Sequence, residues 1–129
     1  MRKLVAAVFG VVIVLGFMNS PAMAIQAFYN SLAKTYVEPA KDSALGKLID
    51  KERCNVCHDP KNKKIRNEYG MAVSKLLKKA DFGPDQLKAD PEGKAKAIVE
   101  ALKKVEADKA SDGKTFGERM KEGKLPSAK

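Results

Sequence analysis

The sequence predicts an all-α domain of four or five short helices. Apolar residues recur every three or four positions over several stretches of the 129-residue chain, which is the spacing of one face of a helix. No stretch shows the alternation of apolar and polar residues that is typical of a strand. Prolines, glycines and capping residues separate the apolar stretches, so each helix is expected to be short.

The first predicted helix covers residues 25–37. One face of it is apolar and carries Ile25, Phe28, Tyr29, Leu32, Ala33 and Tyr36. Pro39 ends the helix, because the residue before a proline avoids helical backbone angles. Ser43 is a suitable N-cap for a second helix that carries Leu45, Leu48 and Ile49.

The third predicted helix covers residues 65–80. It has the clearest apolar stripe of the chain, formed by Ile65, Tyr69, Ala72, Val73, Leu76, Leu77 and Ala80. Met71 falls on the opposite, polar side. Gly70 costs roughly 1 kcal/mol of helix stability relative to alanine, so we expect it to allow the close approach of a bound group or of another chain. Gly83 and Pro84 end this helix, and Pro84 opens a single further turn.

The last two helices begin with capping signals. Asp90 is placed as an N-cap with Pro91 at the first helical position, and the expected buried face carries Ala95, Ile98, Ala101, Leu102 and Val105. Thr115 and Glu118 have the spacing of a capping box, in front of a short helix that carries Met120.

The chemistry of the chain is concentrated in residues 54–58, Cys-Asn-Val-Cys-His. They include the only two cysteines and the only histidine of the sequence. The spacing C-x-x-C-H is the attachment signature of c-type haem. In that chemistry the thiols of Cys54 and Cys57 form thioethers with the two vinyl groups, and His58 is the proximal iron ligand. We therefore predict one covalent haem c.

Three other interpretations of the motif explain less. A structural zinc site needs four ligands, and the chain has no second pair of Cys or His residues. A redox dithiol is expected near a βαβ pattern, which is absent from the sequence. A structural disulfide between Cys54 and Cys57 leaves His58 unexplained.

Residues 1–24 have the layout of a secretory signal peptide. Arg2 and Lys3 form a basic start, residues 4–18 are apolar, and Ala22-Met23-Ala24 is a small-x-small cleavage site. The alternative is an uncleaved membrane anchor, but the apolar run is short for a span. We predict cleavage, an exported domain of residues 25–129 and no stable membrane anchor after it. A periplasmic or equivalent compartment agrees with the motif, because bacteria attach haem to C-x-x-C-H outside the cytoplasmic membrane.

The chain is basic, with a formal net charge of +9. Cleavage removes Arg2 and Lys3 and no acidic residue, which leaves +7. A small basic protein can bind nucleic acid, an anionic membrane or an acidic protein. Export argues against nucleic acid, so acidic redox proteins are the predicted partners. A basic cluster follows the motif and is equally consistent with a solvated loop: Lys61, Lys63, Lys64 and Arg66.

The second axial position of the iron is open to several assignments. A second histidine ligand from this chain is excluded, because His58 is the only one. Met71 and Met120 are the methionines that remain after cleavage, and thioether ligation favours electron transfer by raising the reduction potential. Alternatively, Met120 fills the core beside an aromatic ring, Met71 is exposed or at an interface, and no methionine binds the iron.

With Cys54, Cys57 and His58, the chain resembles the monohaem c-type cytochromes. More loosely, the stretch from Cys54 through Arg66-Asn67-Glu68-Tyr69-Gly70, with Thr115-Phe116-Gly117 and Gly123-Lys124-Leu125-Pro126, is similar to small exported cytochromes c of planctomycete- and anammox-type bacteria. Some of those proteins bind diatomic gases at a haem with a distal thiolate, for which this chain has no third cysteine. In class I cytochromes the methionine ligand precedes a long C-terminal helix, whereas nine residues follow Met120 here.

The resemblance implies one-electron transfer rather than enzymatic activity. The alternatives are a haem protein that binds nitric oxide or carbon monoxide, and a haem subunit of a homodimer or heterodimer. Peroxidase-like chemistry needs distal acid–base groups, and this chain has no distal histidine, so we predict no enzyme.

Overall fold

A computed structural model describes residues 22–128, with side chains from residue 26 onward. The basic start and the apolar run of the predicted signal peptide lie outside these residues. Residues 22–24 are the first residues of the first helix. Cleavage after Ala24 stays a prediction. Within the described part of the chain, no helix is long and apolar enough to cross a membrane.

The described residues form six α-helices and no strand. The helices are α1 Ala22–Leu32, α2 Ala44–Glu52, α3 Glu68–Leu76, α4 Pro84–Ala89, α5 Pro91–Val105 and α6 Phe116–Lys121. The predicted all-α class is confirmed. The sixth helix arises because the single turn expected after Pro84 is a short helix of its own, α4.

The predicted N-caps are present. The side chains of Ser43, Asp90 and Thr115 each accept a hydrogen bond from the backbone N–H three residues further on. Glu118 completes the capping box, because its carboxylate accepts the backbone N–H of Thr115 at 2.7 Å. Each cap satisfies a backbone donor that the helix itself leaves unpaired, and is worth about 1 kcal/mol.

The predicted start of α3 at residue 65 was wrong. The helix begins at Glu68, with Asn67 as N-cap accepting the backbone N–H of Gly70 at 2.9 Å. Asn67 is held by its own N–H, which donates to the Cys57 carbonyl at 3.0 Å. This bond draws the preceding residues into a bridge with the motif, so Ile65 lies outside the helix and is 54% exposed.

The predicted end of α3 at residue 80 was also wrong. The helix stops at Leu76, which is 41% exposed, and Leu77 adopts extended backbone angles. The chain turns there and enters a short 3-10 helix, Lys79–Phe82. The turn brings Phe82 into the core against Phe28, with ring centroids 5.2 Å apart. Contact with α1 therefore decided the end of α3.

The first helix ends in a π-helical turn, Ala33–Val37, that buries Tyr36. The Tyr36 hydroxyl donates to the Glu106 carboxylate at 2.7 Å and lies 3.3 Å from the Leu102 carbonyl oxygen. These bonds join the end of α1 to the end of α5. Tyr36 is therefore buried, as its place on the apolar face of the first predicted helix indicates.

One core collects side chains from all six helices. Tyr69 and Phe116 are its largest fully buried residues, and their rings meet edge to face with centroids 5.3 Å apart. Met120 is buried in the same cluster at 6% exposure. The expected buried face of α5 is present except at Ala95, which is exposed.

Candidate functional site

The motif begins on a 3-10 turn, Arg53–Val56, that follows α2 directly, and Cys57 and His58 come immediately after this turn. The turn closes on the carbonyl of Cys54, which accepts the backbone N–H of Cys57 at 3.3 Å and of His58 at 3.0 Å. Val56 is fully buried and fixes the turn to the core. Both cysteines are free thiols. The hydrogen bonds to the Cys54 carbonyl thus hold Cys54, Cys57 and His58 close together.

Arg53, directly before the motif, has a strained backbone. It has a φ of +48°, and no other non-glycine residue of the described chain has a positive φ. Such a conformation costs about 1–3 kcal/mol. The Arg53 guanidinium lies over the ring of Tyr29 at 4.5 Å, and the Tyr29 hydroxyl donates to Asp50 at 3.0 Å. These contacts hold the end of α2 against α1 and orient the chain as it enters Cys54.

The two cysteines have different surroundings. Cys54 is exposed, whereas Cys57 is largely enclosed. Burial raises the pKa of the Cys57 thiol to about 12, with a further increase from Cys54 and an opposing effect of Arg66. At neutral pH Cys57 is therefore a protonated thiol.

His58 is half-buried, and its Nδ1 atom is fully buried without a hydrogen-bond partner among the described residues. Leaving such a nitrogen unpaired costs about 1–3 kcal/mol. The Asn55 side-chain oxygen is buried and unpaired in the same way. Both residues line a cavity of about 230 Å³, together with Glu52, Pro60, Asn67, Leu125, Ser127 and Ala128. A buried imidazole nitrogen that no described residue satisfies is compatible with a bound group at this cavity.

Haem fits these residues in donor chemistry, since two free thiols and one imidazole are present together. The cavity at His58 is smaller than the roughly 300–1,000 Å³ of pockets that enclose drug-sized ligands. A macrocycle held by Cys54, Cys57 and His58 therefore extends beyond this cavity. Leu125, Ser127 and Ala128, which line the cavity with His58, belong to the C-terminal segment, residues 125–128.

The first turn of α3 lies directly on the backbone of the motif. The Asn67 side-chain amide donates to the carbonyls of Asn55 at 3.3 Å and Val56 at 3.0 Å. A Cβ atom on Gly70 would lie 2.0 Å from the carbonyl oxygen of Cys57. Gly70 therefore allows a close approach to the backbone of the motif itself, and the approach of a bound group or of another chain stays a prediction.

Sequence reasoning missed Asn67. The signal was present, because an asparagine followed by glutamate in the first turn is typical of a helix start. The predicted start at residue 65 placed Asn67 inside the helix, so its role as N-cap was missed.

Glu68, the first residue of α3, binds the C-terminal segment, residues 125–128, and the turn at Ser111. Its carboxylate accepts the backbone N–H of Ser111 at 2.8 Å and of Ala128 at 2.5 Å. Burial alone would raise the pKa of Glu68, but the hydrogen bonds from Ala128 and Ser111 outweigh it and lower the pKa. The ionised carboxylate therefore holds this segment beside His58.

Arg119 on α6 binds the same segment from the other side. Its guanidinium donates to the carbonyls of Leu125 and Ser127, each at 3.0 Å, and it forms an ion pair with Asp112. Because Leu125 and Ser127 line the cavity at His58, Arg119 and Glu68 together position one wall of the candidate site.

Neither methionine lines the cavity at His58. Met120 is buried in the core on α6. Met71 is 49% exposed on α3, as its position on the polar side predicted, and it lines a separate cavity of about 580 Å³ with Glu68, Ala72, Lys75, Asp108, Lys109 and Phe116. The assignment of a distal ligand stays a prediction for both.

Comparisons of the chain with protein-family models, with curated proteins and with solved structures gave no match.

We expect Gly70→Ala to destabilise the protein by about 1–3 kcal/mol, because the new Cβ would overlap the carbonyl oxygen of Cys57, a backbone atom that cannot move independently. Urea unfolding measures the change. Gly83→Ala is the comparison variant: its Cβ would meet only the end of the flexible Gln86 side chain, so the expected loss is that of a poorer N-cap for α4, at most about 1 kcal/mol. Equal losses in the two variants would contradict the close packing of α3 on the motif.

The stabilising effect of Glu68 depends on pH. A carboxyl whose pKa is lower in the folded protein stabilises it above the pKa of the unfolded chain, and the effect is lost as pH falls through the folded pKa. The difference in unfolding free energy between wild type and Glu68→Gln should be constant above pH about 5 and shrink at lower pH. Glu100→Gln, at an exposed residue on α5, should differ little from wild type throughout. A difference for Glu68→Gln that does not vary with pH would contradict this role.

Proposed function

We propose that this chain is a monohaem c-type cytochrome that transfers single electrons outside the cytoplasmic membrane. One observation carries the proposal. Two cysteines that form no disulfide and a histidine whose Nδ1 is buried and unpaired among the described residues lie on the 3-10 turn Arg53–Val56 and the two residues after it, at the spacing of the haem c signature.

Each residue of the motif has a separate role in holding the cofactor. Cys54 and Cys57 would bind haem covalently, with S–H adding across a vinyl group at each thiol, and His58 would bind the iron on the proximal side. The bound haem would supply reversible one-electron chemistry between ferric and ferrous iron. The chain contributes attachment, orientation and partial exclusion of water.

The surroundings of the motif favour electron transfer because they are held firmly. Val56 is buried, Asn67 donates to two motif carbonyls, and Gly70 lies against Cys57. A frame held in place before the reaction needs little rearrangement when the charge on the iron changes. The signal peptide of residues 1–24 supports an exported, periplasmic location, and the basic surface supports acidic redox partners.

Haem attachment is tested by expressing the full chain in a host that matures c-type cytochromes. The wild type should carry haem that survives denaturing electrophoresis, and its reduced pyridine spectrum should be that of a c-type haem. Cys54→Ala/Cys57→Ala should lose all covalent haem, and His58→Ala should lose the native spectrum. Asn55→Ser changes a residue between the cysteines but keeps both thiols and the imidazole, so it should keep covalent haem. Covalent haem in the double cysteine variant would contradict the proposal.

The distal ligand is tested by Met71→Leu and Met120→Leu. Leucine keeps the volume of methionine at a cost below about 1.5 kcal/mol, so the loss of sulfur is separated from the loss of packing. Removing a methionine ligand should lower the reduction potential and allow the ferrous protein to bind carbon monoxide. The other variant serves as the control in each comparison.

Gas binding is the second candidate function. It follows from the absence of a second histidine, which leaves the distal position either to a methionine or open to a small ligand. Unchanged spectra in both variants, with carbon monoxide bound by the native ferrous protein, would assign this function instead.

A further inference from the structure

The segment between the motif and α3, residues 59–66, is a compact loop that we name the motif loop. The Asp59 carboxylate accepts the backbone N–H of Lys61 at 2.7 Å and of Asn62 at 2.9 Å. The ends of the loop are joined by the Asp59 N–H, which donates to the Ile65 carbonyl at 2.9 Å. The loop therefore presents its side chains from a backbone held by its own hydrogen bonds.

The motif loop carries positive charge that the described chain does not neutralise. Its four cations are all exposed, and none forms an ion pair with a described residue: Lys61, Lys63, Lys64 and Arg66. Asp59 is the only carboxylate of the loop, and one of its oxygens accepts two backbone N–H groups. By contrast, the ion pairs that are present engage lysines and arginine elsewhere, such as Lys114 and Arg119.

An apolar side chain projects from the same loop. Ile65 is more exposed than the other two large apolar residues of the described surface, Met71 and Leu76. Lys64 and Arg66 flank it directly in the chain. An apolar anchor surrounded by charged side chains is the usual composition of a transient protein interface, in which a few central residues contribute most of the binding energy.

The motif loop also adjoins the predicted haem. It begins immediately after His58, and a bridge pairs His58 with Arg66 at its other end. A partner that covers the loop would therefore lie beside the cofactor, where electron transfer needs it. A single exposed isoleucine is too little apolar surface to anchor the chain in a membrane, so the charge pattern favours an acidic protein surface.

We propose that the motif loop is the docking surface for an acidic one-electron carrier protein, whose carboxylates face the four cations and whose apolar surface covers Ile65. This inference rests on the proposed function, because it assumes that haem is bound at Cys54, Cys57 and His58.

The test uses the haem-bearing protein and reduced flavodoxin, an acidic one-electron carrier, in stopped-flow measurements of ferric haem reduction. Lys63→Glu/Lys64→Glu reverses two charges of the loop. Lys88→Glu/Lys96→Glu makes the same change in net charge on α4 and the first half of α5. At low ionic strength the loop variant should lose about tenfold or more in second-order rate, and the control about twofold, because local complementarity steers association. The loop variant should also show the weaker dependence on ionic strength.

The apolar contact is tested by Ile65→Ser, with Leu76→Ser as the matched control at an exposed apolar residue of α3. The first change should lower the rate about fivefold, as expected for a central interface residue. The second should leave it within about twofold.

Two results would overturn the docking surface. Equal losses in the two charge variants would show that net charge alone matters. Binding to phosphatidylglycerol vesicles that requires Lys63 and Lys64, with an unchanged rate toward flavodoxin, would assign the loop to a membrane surface. In either case the proposed function would stand if the protein carries covalent haem that dithionite reduces normally. A chain without covalent haem would overturn both the proposed function and the docking surface.

Discussion

The packing of the first turn of α3 on the backbone of the motif is the contact on which the candidate site depends. Gly70 lies against the Cys57 carbonyl with no room for a Cβ atom, and Asn67 donates to the carbonyls of Asn55 and Val56 while capping α3. A short 3-10 turn has few hydrogen bonds of its own. The helix supplies the missing partners and so determines where both thiols and the imidazole lie.

Other parts of the fold extend this arrangement to the surroundings of His58. Glu68 continues from Asn67 into α3 and binds the C-terminal segment, which Arg119 holds from α6. The turn that carries the thiols, the helix that supports it and the segment that covers His58 are therefore linked by hydrogen bonds over distant parts of the chain. The motif loop follows His58 directly and keeps its four cations exposed.

The sequence predicted helix starts well where a side chain acts on its own backbone. Ser43, Asp90 and Thr115 all cap the expected helices, because an N-cap depends on neighbours three residues away.

The sequence predicted the two ends of α3 poorly. The apolar spacing of Ile65 and Leu76 matched a longer helix, but the bond from Asn67 to Cys57 and the contact of Phe82 with Phe28 decided both ends. Those contacts join residues that are not neighbours in the sequence, so the local spacing of apolar residues does not reveal them.

By itself the sequence determined which donors are available and how they are spaced: two thiols and one imidazole within five residues. Covalent connection sets that spacing, whatever the fold. Only the tertiary structure decided their surroundings. It enclosed Cys57 and left Cys54 exposed, buried the His58 Nδ1 without a partner, and brought Asn67, Glu68 and the C-terminal segment beside them. Burial and hydrogen-bond partners come from segments that are distant in the chain, and packing of the whole domain brings those segments together.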